Sequence, residues 1–290
     1  MKKSISEFIE LNGMRNHVRI WGPIDAPRLI LLHGWMDASA TFQFVVDAFA
    51  RDWRVIAPDW RGFGQSQWNN HCYWFPDYVA DLDALLAHYS PDAKALLVGH
   101  SMGGGVATMY AGIRPERVAR LVSMEGFGTP PNHVIEEAPE SYAKWLDQLR
   151  AGPIIKRHRD RAEFAARLRH VNSRLTADRA AFLAEHTAQE DAEKQVMLAA
   201  DPFHRIPNPV PYRFDDVKAC WQRIVAPVLW VAATDSYVMK YYAGDAGQAE
   251  FRDCVACFRD IRVEMLEDAG HNMHHDQPER MARLIEEFCA

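Results

Sequence analysis

Short, continuously apolar runs recur along the chain, and they constrain its fold more than any other feature. Clear examples lie at residues 29–32, 95–98 and 228–231, and residues 121–124 repeat the pattern apart from Ser123. An apolar run of this length without alternation is typical of a strand that is buried on both faces of a parallel sheet. Amphipathic helical patterns separate the runs, as at residues 79–86. The alternation predicts an α/β fold with a doubly wound, mostly parallel sheet.

The alternation breaks between about Gly126 and Val217, where we find no convincing β pattern. We predict a helical cap over residues 127–217, inserted into a core that is formed by residues 1–126 and 218–290. A chain of 290 residues has room for one large α/β domain with such an insertion.

Composition excludes several classes of protein. The formal net charge of −6 argues against a nucleic-acid partner, because nucleic-acid-binding domains are usually strongly basic. No apolar stretch approaches the roughly 18 residues of a membrane span, and the N-terminus lacks the apolar segment of a secretory signal. The five cysteines are scattered and odd in number, which indicates reduced thiols. We expect a cytoplasmic protein that acts on a small molecule.

The segment Gly99-His100-Ser101-Met102-Gly103 follows a predicted buried strand and precedes a predicted helix. A G-x-S-x-G sequence in this strand–turn–helix context is typical of a nucleophile elbow. The pattern predicts Ser101 as a catalytic nucleophile. The backbone N–H of Met102, at the start of the helix, is then a candidate donor to an oxyanion hole.

A serine hydroxyl needs a base, and His271 follows the last predicted strand and precedes the final helix. That position can bring its imidazole to the elbow. His274 and His275 lie close by and could be read as metal ligands together with His271. Without a matching Glu or third-ligand pattern, we expect no metal and no cofactor.

The acid that orients His271 has two candidates. Asp235 follows the strand after the cap and preserves the chain order Ser, Asp, His that is expected for this fold. Glu125 lies just past the preceding strand, where it could serve instead. We favour Asp235 and keep Glu125 as the alternative acid.

The remaining candidate site residues are identified by their positions in the chain and by their aromatic side chains. Trp35 follows the first apolar run, so its backbone N–H is the candidate second donor to the oxyanion hole. Aromatic residues of the cap are candidate walls of the substrate pocket. The predicted substrate-binding residues are Trp35, Tyr142, Trp145, Phe203 and Tyr212.

Together these segments make the sequence resemble the α/β-hydrolase superfamily over nearly its whole length. The matching segments are His33-Gly34-Trp35, residues 59–66, residues 99–104 and Gly270-His271. Residues 33–37, residues 124–128 and Asp201-Pro202 resemble the serine hydrolase-like branch, with its capped, esterase-type members.

The resemblance implies an eight-stranded sheet, a Ser-His-Asp mechanism without a cofactor, and loop-stabilising roles for Asp59 and Arg61. One departure concerns the acid: family members usually carry Gly where this chain has Ala233, before a slightly shortened loop. The choice between Asp235 and Glu125 therefore stays open.

The expected function is that of a carboxylesterase-like serine hydrolase that cleaves a carboxylic ester or thioester through an acyl-enzyme on Ser101. Alternatives on the same triad are a C–C bond hydrolase and a cofactor-free perhydrolase. A ligand receptor that keeps the fold without turnover is a further alternative, because fold alone does not dictate function.

Overall fold

A computed structural model describes residues 1–127, 137–210 and 213–290. Its eleven strands are β1 (Ser4–Leu11), β2 (Met14–Trp21), β3 (Arg28–Leu32), β4 (Arg54–Pro58), β5 (Ala95–His100), β6 (Val118–Met124), β7 (Arg157–His158), β8 (Ala188–Glu190), β9 (Val196–Leu198), β10 (Val228–Ala233) and β11 (Ile261–Leu266). The described α-helices are α1 (Gln43–Ala48), α2 (Phe75–Tyr89), α3 (Met102–Ile113), α4 (Ala138–Ala151), α5 (Arg161–Val171), α6 (Ala177–Thr187), α7 (Phe214–Trp221), α8 (Tyr237–Tyr241), α9 (Gly244–Ala256), α10 (Met273–Asp276) and α11 (Pro278–Cys289). Short 3₁₀ helices cover Ser39–Phe42, Pro115–Arg117 and Pro202–Arg205.

Eight strands form one sheet in the order β1-β2-β4-β3-β5-β6-β10-β11. Strand β2 runs antiparallel to both of its neighbours, and the other adjacent pairs are parallel. The hairpin β1–β2 turns at Asn12 and Gly13, which both have positive φ, as a tight hairpin turn requires. The predicted doubly wound, mostly parallel sheet is confirmed.

Apolar residues of the central strands divide between two cores, one on each face of the sheet. In β3, Ile30 and Leu32 enter one core, whereas Leu29 and Leu31 enter the other. This follows from the alternation of side chains along a strand, and it explains why β3 is apolar throughout. Helices α2, α3, α7 and α9 contribute to the first core, and helices α1 and α11 to the second.

The segment inserted between β6 and β10 contains strands as well as helices, and the sequence did not predict those strands. It contains α4, α5 and α6, but also a small antiparallel sheet in the order β7-β9-β8. Helix α6 ends at Thr187, and the chain turns back at Asp191, whose carboxylate accepts hydrogen bonds from the N–H groups of Glu193 and Gln195. Strands of two or three residues are too short to leave a β pattern in the sequence.

The predicted return to the core at residue 218 falls inside helix α7. This helix begins at Phe214 and buries Val217 and Trp221 in the first core, beside α3. It therefore packs as part of the core. No helix in the described ranges is long and apolar enough to cross a membrane.

Gly112, near the end of α3, allows this helix to lie directly against α7. A Cβ atom at Gly112 would lie 1.9 Å from the backbone oxygen of Cys220, whereas a Cβ at Gly105 would meet its nearest neighbour at 3.6 Å. We expect Gly112→Ala to lower the free energy of unfolding by about 1–3 kcal/mol, because the two backbones must separate.

Gly105→Ala in the same helix is the matched control. It should leave stability unchanged or raise it by up to about 1 kcal/mol, because alanine favours helix and finds room there. Urea unfolding of both variants measures the difference. Equal midpoints for the two variants would contradict the assigned contact between α3 and α7.

Candidate active site

Ser101 lies at a sharp turn between β5 and α3, and its backbone has φ = 51° and ψ = −116°. A positive φ is unfavourable for a residue with a Cβ atom, so neighbouring contacts must hold it. The Ser101 N–H donates to the backbone oxygen of Met124 at 2.8 Å. A Cβ atom at Gly99 would lie 2.5 Å from the backbone of Gly103, and one at Gly103 would lie 2.2 Å from the oxygen of Leu32. The flanking glycines are therefore required by the turn.

His271 is placed beside this turn by its main chain and by its ring. The His271 backbone oxygen lies 2.9 Å from Nε2 of His100, the residue before Ser101. The rings of His100 and His271 have centroids 4.7 Å apart. Among the described residues, no hydrogen bond joins the Ser101 hydroxyl to His271; such bonds often tighten only when substrate is bound.

Glu125, and not Asp235, is the carboxylate that contacts His271. Its Oε2 lies 2.6 Å from Nδ1 of His271, and its side chain is fully buried. The Glu125 carboxylate also accepts a hydrogen bond from the N–H of Ala233 at 2.9 Å and one from the hydroxyl of Ser236 at 2.6 Å. The geometry thus corrects our preference for Asp235.

Asp235 faces outward, with half of its side chain exposed, and pairs with Arg174 of the insertion. The next residue, Ser236, is the one that turns inward and is buried. In the short loop after β10, the side chain that points inward is therefore the hydroxyl of Ser236. Sequence reasoning missed Ser236, although its place directly after Asp235 at the end of a strand was a usable signal.

A carboxylate partner fixes the tautomer of His271. An ionised carboxylate can only accept hydrogen bonds, so Nδ1 carries the proton that is shared with Glu125. Nε2 then keeps a free lone pair. This is the arrangement that a general base requires.

The loop after β3 packs directly on the nucleophile turn. A Cβ atom at Gly34 would lie 2.9 Å from Nδ1 of His100 and 3.3 Å from Cβ of Ser101. The next residue, Trp35, leaves half of its side chain exposed. Met102 is the first residue of α3, so its N–H has no partner within the helix. Both predicted oxyanion donors thus belong to segments that adjoin Ser101.

The predicted pocket walls lie on the insertion. Tyr142 and Trp145 pack together on α4, and the Trp145 indole N–H donates to Cys72 Sγ at 3.3 Å. Phe203 stacks against His71 with a centroid distance of 6.2 Å. Trp145 and Phe203 thus contact the loop before α2. The role of these residues as pocket walls stays a prediction. Tyr212 lies outside the described residues.

Tyr237 is an aromatic neighbour of the site that sequence reasoning missed. Its ring centroid lies 4.8 Å from that of His271, and half of its side chain is exposed. It follows Ser236 at the start of α8. Tyr237 therefore borders the base on the side that faces solvent.

Asp59 and Arg61 hold loops beside the site. Buried Asp59 accepts hydrogen bonds from the N–H groups of Ser39 and Gln65, and from Nδ1 of His17 at 2.7 Å. Burial alone would raise the pKa of Asp59, but interactions with His17, His33 and Ser39 together outweigh burial and lower it. Arg61 makes two hydrogen bonds to Asp81, at 2.6 and 2.5 Å. Each carboxylate is held in place by these partners.

Comparison with known proteins agrees with this architecture. The model of a family described as having the alpha/beta hydrolase fold matches residues 27–278. A serine hydrolase-like protein from Danio rerio is 27% identical and covers 99% of this chain and 89% of its own. Among solved structures, a thioesterase domain from the curacin biosynthetic pathway has a TM-score of 0.86 at 25% identity and covers 98% of this chain and 99% of its own. A carboxylesterase from Bacillus subtilis has a TM-score of 0.66 at 20% identity, covering 99% and 92% of the two chains, and indicates shared fold.

The contact between His271 and Glu125 predicts a strongly downfield Nδ1 proton in the ¹H NMR spectrum, because a proton shared with a carboxylate at this distance is deshielded. Asp235→Ala should keep this resonance, since Asp235 pairs with Arg174 instead. Glu125→Ala should abolish it. Retention in Glu125→Ala and loss in Asp235→Ala would restore Asp235 as the partner of His271.

Proposed function

We propose that this chain, a hydrolase that belongs to the α/β-hydrolase family, cleaves carboxylic esters or thioesters through an acyl-enzyme on Ser101. The observation that carries the proposal is the chain of hydrogen bonds from Ser236 through Glu125 to His271, beside the strained Ser101 turn. A nucleophile, a base and a group that orients the base are the parts that such a reaction requires.

In the first step, Nε2 of His271 takes the proton of the Ser101 hydroxyl, whose oxygen attacks the substrate carbonyl. The electron pair of the C=O bond moves onto its oxygen, where the N–H groups of Trp35 and Met102 stabilise it. When the tetrahedral intermediate collapses, the bond to the leaving group breaks. His271 then gives its proton to the departing alkoxide or thiolate.

In the second step, His271 takes a proton from water, and the resulting hydroxide attacks the acyl-enzyme. Collapse returns the proton to Ser101 and releases the carboxylic acid. Glu125 keeps His271 oriented and offsets the positive charge of the imidazolium in both steps. Its two further donors, Ala233 N–H and the Ser236 hydroxyl, stabilise the ionised carboxylate in its buried position.

The substrate class is supported by the surroundings of the base and by one relative. Trp35 and Tyr237 expose about half of their aromatic side chains, at 51% and 53%. Exposed aromatic side chains beside the site can contact the apolar acyl group of a substrate. The thioesterase domain named above shares the fold at 25% identity over almost the whole chain, and this favours including thioesters.

Matched substitutions of the two acids test the proposal. With p-nitrophenyl esters of increasing chain length, Glu125→Gln should lower kcat by roughly 10²–10⁴-fold, because a neutral partner supports neither the tautomer nor the imidazolium. Asp235→Asn should change kcat by less than about threefold, since an exposed ion pair contributes little. Ser101→Ala should abolish acyl-enzyme formation.

Labelling by a fluorophosphonate probe is the control that does not depend on the substrate. Folded wild-type protein should be labelled at Ser101, and Ser101→Ala should not. Folded wild-type protein that takes up no label would favour a ligand receptor of the same fold. A larger loss of kcat in Asp235→Asn than in Glu125→Gln would reverse the assigned acid.

A further inference from the structure

Next to the active site lies a second cluster of polar side chains that the proposed mechanism does not use. One ligand atom each from Asp37, His274 and His275 lie within 4.8 Å of one another. Asp37 follows Trp35 by two residues in the loop after β3, and the two histidines belong to α10, just beyond His271. The two loops that build the active site therefore also build this cluster.

The histidines of the cluster are shielded from water. His274 is fully buried and His275 is 6% exposed, while Asp37 is half-buried. The hydroxyl of Thr41 lies between the two rings: it is 2.9 Å from Nε2 of His274 and also hydrogen-bonds Nε2 of His275. The two histidines of the cluster are thus shielded from solvent and bridged by a hydroxyl.

One polar atom of the cluster is left without a partner. Nδ1 of His274 is buried and makes no hydrogen bond within the described part of the chain. A buried polar atom without a partner costs about 1–3 kcal/mol. The Asp37 carboxylate beside it accepts a hydrogen bond from the N–H of Ala38 at 2.9 Å. A metal ion would supply the missing partner for the imidazole nitrogen.

The donor set suits a particular kind of cation. Two imidazole nitrogens and one carboxylate oxygen match zinc and similar borderline divalent metals, whereas magnesium and calcium prefer oxygen throughout. Nε2 of both rings is engaged by the Thr41 hydroxyl, whereas Nδ1 of His274 has no partner among the described residues and is free to bind such an ion.

We propose that Asp37, His274 and His275 form a binding site for one zinc-like divalent ion. The three-ligand pattern escaped the sequence analysis because the third ligand comes from the other end of the chain.

The metal site adjoins the support of the base. The ring of His274 lies 4.4 Å from that of His100, and His100 hydrogen-bonds the backbone oxygen of His271. Binding of the ion does not depend on the proposed function.

Calorimetric titration of chelator-treated protein with Zn²⁺ alone tests the site directly. Wild-type protein should bind one equivalent, and Asp37→Asn and His275→Gln should each weaken binding by roughly 100-fold or more. Cys257→Ser is the control, because Cys257 is a free cysteine outside the cluster and a thiolate can also bind zinc. It should bind like wild type.

Thermal unfolding gives a second readout and checks that each variant is folded. Zinc should raise the Tm of wild type and Cys257→Ser but not that of Asp37→Asn, because only protein that binds the ion gains stability from it. Ser101→Ala should bind zinc normally, so a failure of the proposed hydrolysis would not imitate a failure of this site. Absent binding to wild type, or equal binding to wild type and Asp37→Asn, would overturn the proposal.

Discussion

The strained backbone at Ser101 is the constraint on which the rest of the site depends. A residue held at φ = 51° costs of order 1–3 kcal/mol, and it persists only where packing leaves no alternative. Here two glycines allow close packing: Gly103 lies against the backbone of Leu32, and Gly34 lies against the side chain of His100. Strand β6 ends in the same way, since Glu125 has φ = 52° and its N–H donates to the oxygen of Val231. Two neighbouring strands thus end in residues of positive φ, and these are the proposed nucleophile and the proposed acid.

The sequence was sufficient to predict the large sheet, the nucleophile turn and the position of His271. Each of these depends on local patterns: continuous apolar runs, glycines that flank a serine, and a histidine between a strand and a helix. The acid could not be chosen in this way. Asp235 and Ser236 are consecutive at the end of β10, and which of them faces inward depends on how tightly the loop turns. Chain order is compatible with either Asp235 or Glu125.

Long-range packing accounts for the other differences between sequence and structure. Trp145 donates to Cys72, and Phe203 stacks on His71, so the insertion packs against the loop before α2. No sequence pattern predicts that these two segments are in contact. The strands β7, β8 and β9 are stabilised by pairing with one another and by contacts such as those of Val196 with Phe164. Neither kind of contact has a signature within a short window of sequence.

Because Asp235 faces outward, two carboxylates have different partners: Glu125 contacts His271, and Asp235 pairs with Arg174 of the insertion. Among the described residues, the Glu125 carboxylate hydrogen-bonds only residues of the core, while Asp235 binds Arg174 of the insertion. Arg179, also of the insertion, donates to the backbone oxygen of His275. The described part of the insertion is therefore attached to the loops that carry Asp235 and His271 without contacting Glu125 itself. Such an attachment lets the insertion diverge, or be exchanged for that of a relative, while the acid and base keep their geometry. Substrate preference can then evolve by replacing a module, with the chemistry inherited unchanged.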